Sequence, residues 1–270
     1  MKKQGKLCCV LSVAGSDSGA GAGVQADLKT MAVQGVYGLT VITAVTAQNT
    51  RGVDRFQILP PQLVAAQMDA VFRDFPIAAV KIGMLGNGDV VEAVYSGLRR
   101  YRARNIVLDP VMVAKSGDLL LEKDTQLALQ KKLFPLSLII TPNIPEAEAF
   151  YGGEITGIEK MKEAAKALHD AGPSYVLLKG GHLRNGELMT DLLYDGEKFF
   201  YYRAPRILST DTHGTGCTYA SAIAAQLACD IPVPLAVLKA RCYLQAILPC
   251  SPGLGGGSGP MDHFARWRKK

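Results

Sequence analysis

The sequence predicts an α/β fold of three layers, with helices on both faces of a mostly parallel central sheet. Short apolar runs of strand length alternate with segments of helical periodicity along most of the 270 residues. Such alternation is typical of strand–helix–strand units, whose helices cover both faces of a parallel sheet. We find no linker, internal repeat or low-complexity stretch, so we expect residues 1–270 to form a single domain.

The predicted strands are apolar runs of the kind that a sheet covered on both faces requires. They are Leu7–Ala14, Leu39–Val45, Ile77–Ile82, Asn105–Leu108, Leu136–Thr141 and Tyr175–Lys179. The segments between them have helical periodicity; Val24, Leu28 and Met31, for example, share one face of a helix that Gly35 ends. The predicted helices of this part are Val24–Gln34, Gln62–Phe75, Val90–Tyr101, Asp124–Leu133 and Ile158–Ala171.

A hairpin and two helices complete the predicted order. Leu188–Tyr194 and Lys198–Arg203 flank an Asp-Gly dipeptide, which favours a tight β-turn between paired strands. Two apolar helices follow, Thr218–Cys229 and Pro234–Leu248. We therefore expect one small antiparallel hairpin beside an otherwise parallel sheet.

Charge and hydropathy indicate neither a nucleic-acid nor a membrane partner. The net charge is +6, and the basic residues are scattered except for a cluster at 266–270, which is typical of a solvated chain end. The segment between Lys29 and Arg51 has no charge, but its threonines, glutamines and glycines would make a bilayer span costly. We expect a helix end and a buried strand there.

The cysteines and the start of the chain favour a cytoplasmic protein. The six cysteines form no C-x-x-C motif and no metal-binding spacing with histidine, a pattern that indicates reduced thiols. The apolar run at 7–14 resembles a short signal peptide, but a glycine loop and an amphipathic helix follow it directly. Cleavage there would remove the strand that positions this loop.

In open α/β sheets, ligands bind beyond the carboxyl ends of the strands, so the segments that follow strands are the candidates for chemistry. The first is the glycine-rich stretch 14–23, where glycines allow a ligand to approach the backbone and a helix start offers free N–H groups. It also fits G-x-G-x-x-A, but the loop is long and lacks the following acidic residue of a dinucleotide site. Asp27 alone is better explained as a carboxylate that the helix dipole favours in the first turn than as a ligand-binding residue.

The second segment is Asn143-Ile144-Pro145-Glu146, which follows a predicted strand. Asn143 and Glu146 have the spacing of a helix capping box. At the carboxyl end of a strand they could equally hold hydrated Mg²⁺, which prefers few carboxylates and keeps its waters. One residue can do both, and the spacing alone favours the cap.

The third segment, residues 211–218, enters an apolar helix through Gly214 and Gly216. These glycines allow successive backbone N–H groups to face one anion, which is what phosphoryl transfer requires. Cys217 lies in the first helical turn, where a thiol pKa is commonly lowered; its other reading is a small packing residue. The chain has no G-x-x-x-x-G-K-[ST] motif, which excludes a P-loop kinase.

With these segments in order, the sequence closely resembles the bacterial hydroxymethylpyrimidine/phosphomethylpyrimidine kinases of thiamine biosynthesis. The resemblance covers about residues 10–264. The motifs that carry it are AGSDSGAGAGVQADLKT (14–30), VITAVTAQNT (41–50), VKIGML (80–85), DPVMVAKSGDLL (109–120), TPNIPEAE (141–148), LLKGGH (177–182) and DTHGTGCT (211–218).

The resemblance implies a ribokinase-like fold, ATP and Mg²⁺ as cofactors, and a homodimer that phosphorylates hydroxymethylpyrimidine and its monophosphate. It implies three sets of site residues. For the substrate these are Gly15, Asp27, Gln48, Met84 and Val111; for ATP, Lys179, Thr215 and Asn143; for the metal, Glu146 and Asn143. Gly214 and Gly216 would form the anion hole, and Cys217 would take the position of the catalytic base.

The expected mechanism is in-line attack of the substrate hydroxymethyl oxygen on the γ-phosphate, with Cys217 accepting or relaying the proton as a thiolate near neutral pH. One departure from the family pattern is the segment 253–263, which keeps its glycines but lacks the extra histidines. Two alternatives stay open: a pyridoxal kinase on the same scaffold, and a non-catalytic nucleotide-binding module. The presence of both Cys217 and Glu146 argues against the second.

Overall fold

A central sheet of nine strands organises the computed structural model, which describes residues 7–112, 123–182 and 188–268. Within these residues the strand order is β3-β2-β1-β4-β5-β6-β7-β8-β9. The strands are β1 Cys9–Asp17, β2 Tyr37–Asn49, β3 Gly52–Ile58, β4 Ile77–Ile82, β5 Ile106–Leu108, β6 Ile139–Ile140, β7 Tyr175–Leu178, β8 Leu188–Tyr194 and β9 Phe199–Pro205. The six strands β1, β2 and β4 to β7 pair in parallel, and β3, β8 and β9 join antiparallel.

Helices cover both faces of this sheet. They are α1 Gly23–Val33, α2 Pro61–Asp74, α3 Gly88–Arg100, α4 Lys123–Ala128, α5 Ile144–Tyr151, α6 Ile158–His169, α7 Thr215–Ala228, α8 Val233–Ile247 and the short α9 Ala265–Arg268. The helices α2, α3, α5 and α6 contribute to one apolar core, and α7 and α8 to the other. Alternate residues of β1 explain the division, because Leu11 and Val13 enter the first core and Val10 enters the second.

The predicted three-layer α/β architecture is confirmed, including the hairpin of β8 and β9. Strand β3 was not predicted. It is an antiparallel edge strand whose middle residues, such as Asp54 and Arg55, are exposed, so it has no apolar run to reveal it. The strand predicted at Leu136–Thr141 is only two residues long, and its predicted first residue belongs to a short 3₁₀ turn at Phe134–Leu136.

Two sequence features fall partly outside the described residues: positions 113–120 of the motif that follows β5, and Lys269 and Lys270 of the basic cluster. No helix in the described part of the chain is both long enough and apolar enough to cross a membrane.

Candidate active site

The carboxyl ends of β1, β4, β5 and β7 meet the first turns of α5 and α7 at one edge of the sheet. Asp17 ends β1, Asp109 follows β5 directly and Lys179 follows β7. Because parallel strands present their carboxyl ends on the same side, residues distant in sequence are brought together here. This edge of the sheet is the candidate active site.

The Asp17 carboxylate ties two ligand-facing loops together. It accepts hydrogen bonds from the backbone amides of Gly19 (2.8 Å), Gly21 (3.0 Å) and Ala22 (2.8 Å). It also lies 2.8 Å from Nε2 of His213 in the loop before α7. Burial alone would raise the pKa of the Asp17 carboxyl, but the hydrogen bonds from His213 and the amides lower it overall. The glycine loop is thereby held against the loop before α7.

The start of α7 requires glycine at position 214. Gly214 has a φ of 80°, and a methyl group there would lie 1.9 Å from the carbonyl oxygen of Gly21. Thr215 begins the helix, and its hydroxyl donates to the carbonyl of Thr212 at 2.7 Å. Gly216 and Cys217 follow in the first turn, where amides have no carbonyl four residues earlier in the helix to bond. These amides are therefore suited to an anion.

Lys179 forms a largely buried ion pair beside this helix start. Its Nζ lies 2.7 Å from Oδ1 of Asp109, which also accepts the Thr141 hydroxyl at 3.0 Å. A methyl group at Gly216 would be 3.3 Å from Asp109 Oδ2 and 3.5 Å from Lys179 Nζ. Burial would lower the pKa of Lys179, but Asp109 and Glu146 raise it overall, so the cation is maintained. A fixed positive charge thus lies next to the first turn of α7.

Glu146 and Asn143 form the capping box that their spacing predicts. The backbone N–H of Asn143 donates to Glu146 Oε2 at 2.8 Å, and the backbone N–H of Glu146 donates to Asn143 Oδ1 at 2.9 Å. Burial raises the pKa of the Glu146 carboxyl to about 7, although Lys179 lowers it. Part of the population is therefore protonated at neutral pH in the ligand-free protein.

The oxygens at this corner are of the type that Mg²⁺ prefers, because Glu146 and Asn143 offer one carboxylate and one amide oxygen. Among the residues that the structure describes, no three or more His, Cys, Asp or Glu side chains form a metal cage. Mg²⁺ commonly binds through one or two carboxylates, water and nucleotide phosphates, so this set fits such a hydrated ion.

The pKa of the Cys217 thiol is raised, whereas the sequence predicted that it would be lowered. The first helical turn was expected to lower the pKa of its thiol, but burial raises it to about 11. Lys81 and the Gly23 amide lower this pKa, whereas Asp27 and Asp109 raise it further. In the ligand-free protein Cys217 is therefore a thiol at neutral pH, and the expectation of a ready-made thiolate is corrected.

Asp27 is completely buried rather than open to a ligand. Oδ2 accepts the Ser12 hydroxyl at 2.5 Å and Lys81 Nζ at 2.9 Å, and Oδ1 accepts the Ser221 hydroxyl at 2.7 Å. All of these partners are themselves buried. Both carboxylate oxygens of Asp27 thus already accept hydrogen bonds from protein side chains, among them the ammonium of Lys81.

The other predicted substrate residues fall into three places. Gly15 and Met84 are neighbours, because a methyl group at Gly15 would lie 3.3 Å from the Met84 sulfur. Gln48 is near the His213 ring instead, with 3.3 Å between Nε2 atoms. Val111 is partly exposed two residues after Asp109. Gly15 is also close to Gly23, because a methyl group at Gly23 would lie 2.5 Å from the Gly15 carbonyl oxygen.

The segment 253–260 lies over the loops of this site. The amides of Gly257 and Ser258 bond the hydroxyl and carbonyl of Thr50 at 3.1 and 2.8 Å. The Gly259 amide donates to Asp211 Oδ1 at 2.8 Å, and the His213 amide donates to the Gly259 carbonyl at 3.2 Å. The segment therefore joins the turn between β2 and β3 to the loop before α7.

Sequence reasoning assigned no role to Lys81, Asp109, Asp17 or His213. A signal for the first existed, since Lys81 is the single charged residue of the otherwise apolar strand β4. Asp109 could have been noted as the residue directly after an apolar strand. The bond between Asp17 and His213 joins residues 196 positions apart, and neither neighbourhood predicts the other.

Buried cations beside helix N-terminal amides, at the carboxyl ends of parallel strands, can stabilise a phosphoryl group during transfer. The fold and the site therefore define a phosphotransferase of the α/β class. Comparison with known proteins gives its family: residues 17–262 match the family model described as phosphomethylpyrimidine kinase. The chain belongs to this family.

Relatives of known description agree with this assignment. The chain is 50% identical over 262 residues to the hydroxymethylpyrimidine/phosphomethylpyrimidine kinase of Rhizobium meliloti, covering 96% of this chain and 98% of that protein. It is 51% identical over 255 residues to the thiamine biosynthesis bifunctional protein ThiED of Geobacter sulfurreducens, covering 94% of this chain. It spans only 52% of that bifunctional protein's length.

Solved structures confirm the ribokinase-like fold. The pyridoxal kinase of Bacillus subtilis, solved as an ADP complex, has a TM-score of 0.89 at 33% identity and covers 97% of this chain and 99% of its own. The phosphomethylpyrimidine kinase of Clostridium difficile has a TM-score of 0.80 at 41% identity and covers 89% of this chain and 99% of its own.

The raised pKa of Glu146 predicts a pH-dependent contribution to stability. The folded protein retains a proton up to about pH 7 that the unfolded chain releases near pH 4.5, so Glu146 stabilises the fold less as pH rises through this window. The Glu146→Gln variant lacks this titration. Between pH 4.5 and pH 8, the difference between its unfolding free energy and that of the native protein should therefore change by up to about 3 kcal/mol in favour of the variant. Denaturant unfolding across this pH range measures it.

The exposed Glu154→Gln variant is the control, and its stability should follow the native pH dependence. If Glu146→Gln and Glu154→Gln had the same pH dependence, Glu146 would ionise normally and its carboxyl would not be the buried acid described above.

Proposed function

We propose that this protein is an ATP-dependent kinase that phosphorylates 4-amino-5-hydroxymethyl-2-methylpyrimidine, and then its monophosphate, in thiamine biosynthesis. The observation that carries the proposal is the position of Cys217, in the first turn of α7 beside the Lys179–Asp109 ion pair. The family match adds the substrate class, since curated relatives with hydroxymethylpyrimidine kinase names reach 50% identity over 96% of the chain.

Charge stabilisation would be the main contribution of the site. Negative charge on the transferred phosphoryl group would meet the amides of Gly216 and Cys217 and the ammonium of Lys179. Gly214 and Thr215 hold this helix start in place. Bound Mg²⁺ would neutralise phosphate charge, with Glu146 and Asn143 as the residues to hold it.

Proton transfer is the proposed task of Cys217. The thiolate would accept the proton of the substrate hydroxymethyl group as the new O–P bond forms, and positioning would bring the two groups together. Because the thiol pKa is about 11 without ligands, only a small fraction is ionised at neutral pH. The site must therefore supply positive charge close to the sulfur.

Ring recognition is proposed for Gln48, Met84 and Gly15, with Val111 at the border of the pocket. Gln48 offers an amide that can donate to and accept from a pyrimidine edge, and it already lies 3.3 Å from His213 Nε2. The Met84 thioether lies against the Gly15 backbone, where a flat ring could stack on it. Asp27 would act from beneath this pocket, through Lys81.

Pyridoxal kinase activity is a second candidate, because solved pyridoxal kinases match the fold closely. The Staphylococcus aureus enzyme in complex with AMP-PCP and pyridoxal has a TM-score of 0.89 at 33% identity, covering 98% of this chain and 97% of its own. The higher identity to the pyrimidine kinases favours the pyrimidine as the better substrate.

A steady-state comparison of acceptors tests the substrate. With ATP and Mg²⁺, kcat/KM should be highest for hydroxymethylpyrimidine and its monophosphate, lower for pyridoxal, and negligible for ribose, because Gln48 would match a ring edge that ribose lacks. ADP formation without an acceptor provides the baseline. A higher kcat/KM for pyridoxal would assign the chain to the second candidate, and turnover without any acceptor would overturn both.

Two substitutions test Cys217. Cys217→Ala should lower kcat by about 10²–10⁴-fold, the usual contribution of a general base, while ATP binding survives because backbone amides hold the phosphates. Cys217→Asp should retain more activity than Cys217→Ala, since a carboxylate can also accept a proton. Cys242→Ala, at an exposed thiol, should match the native rate.

The alternative role for Cys217 is packing, and it gives the opposite ranking. Ala would then be mild, and Asp harmful because it buries a charge. A folded Cys217→Ala protein with a near-native kcat would remove Cys217 from the mechanism.

We also propose a cytoplasmic homodimer. The described cysteines are all free thiols, which suits a reducing compartment. The edge strand β3 exposes 49% of Phe56, an apolar side chain that a second copy could cover. Light scattering should give about twice the chain mass of 28.9 kDa, and Phe56→Glu should shift it toward the monomer. A monomeric native protein would refute the dimer.

A further inference from the structure

Lys81 is a charged side chain one residue before the carboxyl end of the apolar strand β4, and it has no accessible surface. Burying an ammonium group is costly unless an opposite charge and hydrogen bonds compensate. Its ion-pair partner is Asp27, at 2.9 Å. Replacing such a pair with apolar residues is often neutral or stabilising, so stability alone is a weak reason for it.

The position of the pair relative to α7 indicates another reason. Asp27 also accepts the Ser221 hydroxyl, at 2.7 Å, which fixes the pair against α7. Cys217 precedes Ser221 by four residues, so the two share one helix face and the thiol lies one turn nearer the site. A methyl group at Gly83 would be 2.8 Å from Lys81 Nζ, so the ammonium extends toward the carboxyl end of β4.

The charged groups around Cys217 come from four elements and alternate in sign. Asp27 lies on α1, Lys81 on β4, Asp109 after β5 and Lys179 after β7, in two ion pairs of 2.9 and 2.7 Å. Lys179 and Asp109 lie beside Gly216, where the phosphates are expected. Once phosphates engage Lys179, Lys81 is the remaining described cation of these two pairs that can act on the sulfur.

The electrostatic effects on the thiol agree with this geometry. Burial raises the pKa of Cys217, and among the charged neighbours Lys81 has the largest effect and lowers it. Asp27 and Asp109 oppose Lys81. Within the Asp27–Lys81 pair, the ammonium of Lys81 therefore has a larger effect on the pKa of Cys217 than the carboxylate of Asp27.

We propose that Lys81 is a positioning residue for phosphoryl transfer, whose buried ammonium, held by Asp27, stabilises the negative charge of Cys217 while the thiolate takes the substrate proton. The inference rests on the proposed function. The thiolate accepts the hydroxymethyl proton as the O–P bond forms and the bond from the γ-phosphorus to its bridging oxygen breaks. The thiol later returns the proton to water, and Lys81 keeps its own protons throughout.

Alkylation of Cys217 measures this effect without kinase turnover. Iodoacetamide modification, followed at Cys217 by peptide mass spectrometry without ligands, reports the thiolate fraction across pH. Lys81→Met should move the pH dependence upward and slow modification at pH 8 by about tenfold or more, the effect expected for loss of an adjacent opposite charge. The exposed Lys131→Met variant should match the native protein.

Kinetics supply the second measurement. In Lys81→Met, kcat at pH 7.5 should fall by about tenfold or more and recover partly at higher pH, while KM for ATP stays within about twofold, because Lys81 acts on the base and does not touch nucleotide. A purely structural role would lower the melting temperature but leave both pH dependences unchanged. That result, in folded Lys81→Met protein, would overturn the proposal.

Lys81→Met leaves Asp27 as an unpaired buried charge, which could prevent folding. The double variant Asp27→Asn/Lys81→Met removes both charges with side chains of similar size. It should fold and still show slower Cys217 alkylation than the native protein; native-like alkylation would overturn the proposal. If the native protein fails to phosphorylate the pyrimidine but the alkylation shift is present, the proposed function fails and the role of Lys81 in tuning the thiol survives.

Discussion

The need to neutralise buried charge locally governs the active edge of the sheet. Asp27, Lys81, Asp109, Lys179 and Glu146 all lie at least largely out of water, where an isolated charge is too costly to maintain. The two lysines remain charged because a carboxylate lies within 3 Å of each. Burial raises the pKa of Glu146, and the backbone amide of Asn143, which donates to its carboxylate, offsets only part of this rise. Parallel strands make this arrangement possible, because each carboxyl end delivers one group to the same edge.

A second constraint is the contact between the two glycine-containing loops. Asp17 bonds three amides of its own loop and the His213 ring of the other, and it thereby links the two loops. The approach of Gly214 to the Gly21 carbonyl leaves no space for a side chain. The start of α7 is thus fixed before any ligand arrives, which reduces the entropy that binding must overcome.

The sequence predicted the three layers and most of the strands and helices, because hydrophobic periodicity is a local property. It also identified candidate site residues within motifs, because the signals of a helix start are local. Gly216, Cys217 and Glu146 lie around Lys179 at one edge of the sheet, and their roles stay predictions. The predicted lowering of the Cys217 pKa was wrong. The effect of a helix N-terminus can be read from the local sequence, whereas burial, which raises this pKa, depends on the whole fold. Strand β3 was missed because an exposed edge strand has no apolar pattern, and the Asp27–Lys81 pair because it joins residues 54 positions apart.

The segment that carries Gly257 and Ser258 determines when the site can exist during synthesis. It bonds Thr50, with 207 positions between the residues of one of these hydrogen bonds. On the ribosome, the first glycine loop and most of the sheet are made long before this segment leaves the exit tunnel. A nascent chain can therefore form its first strands and helices while the ligand-binding loops still lack the contact with this segment. Closure waits until this segment has been made and depends on a long-range contact, which is the slow kind of step in folding.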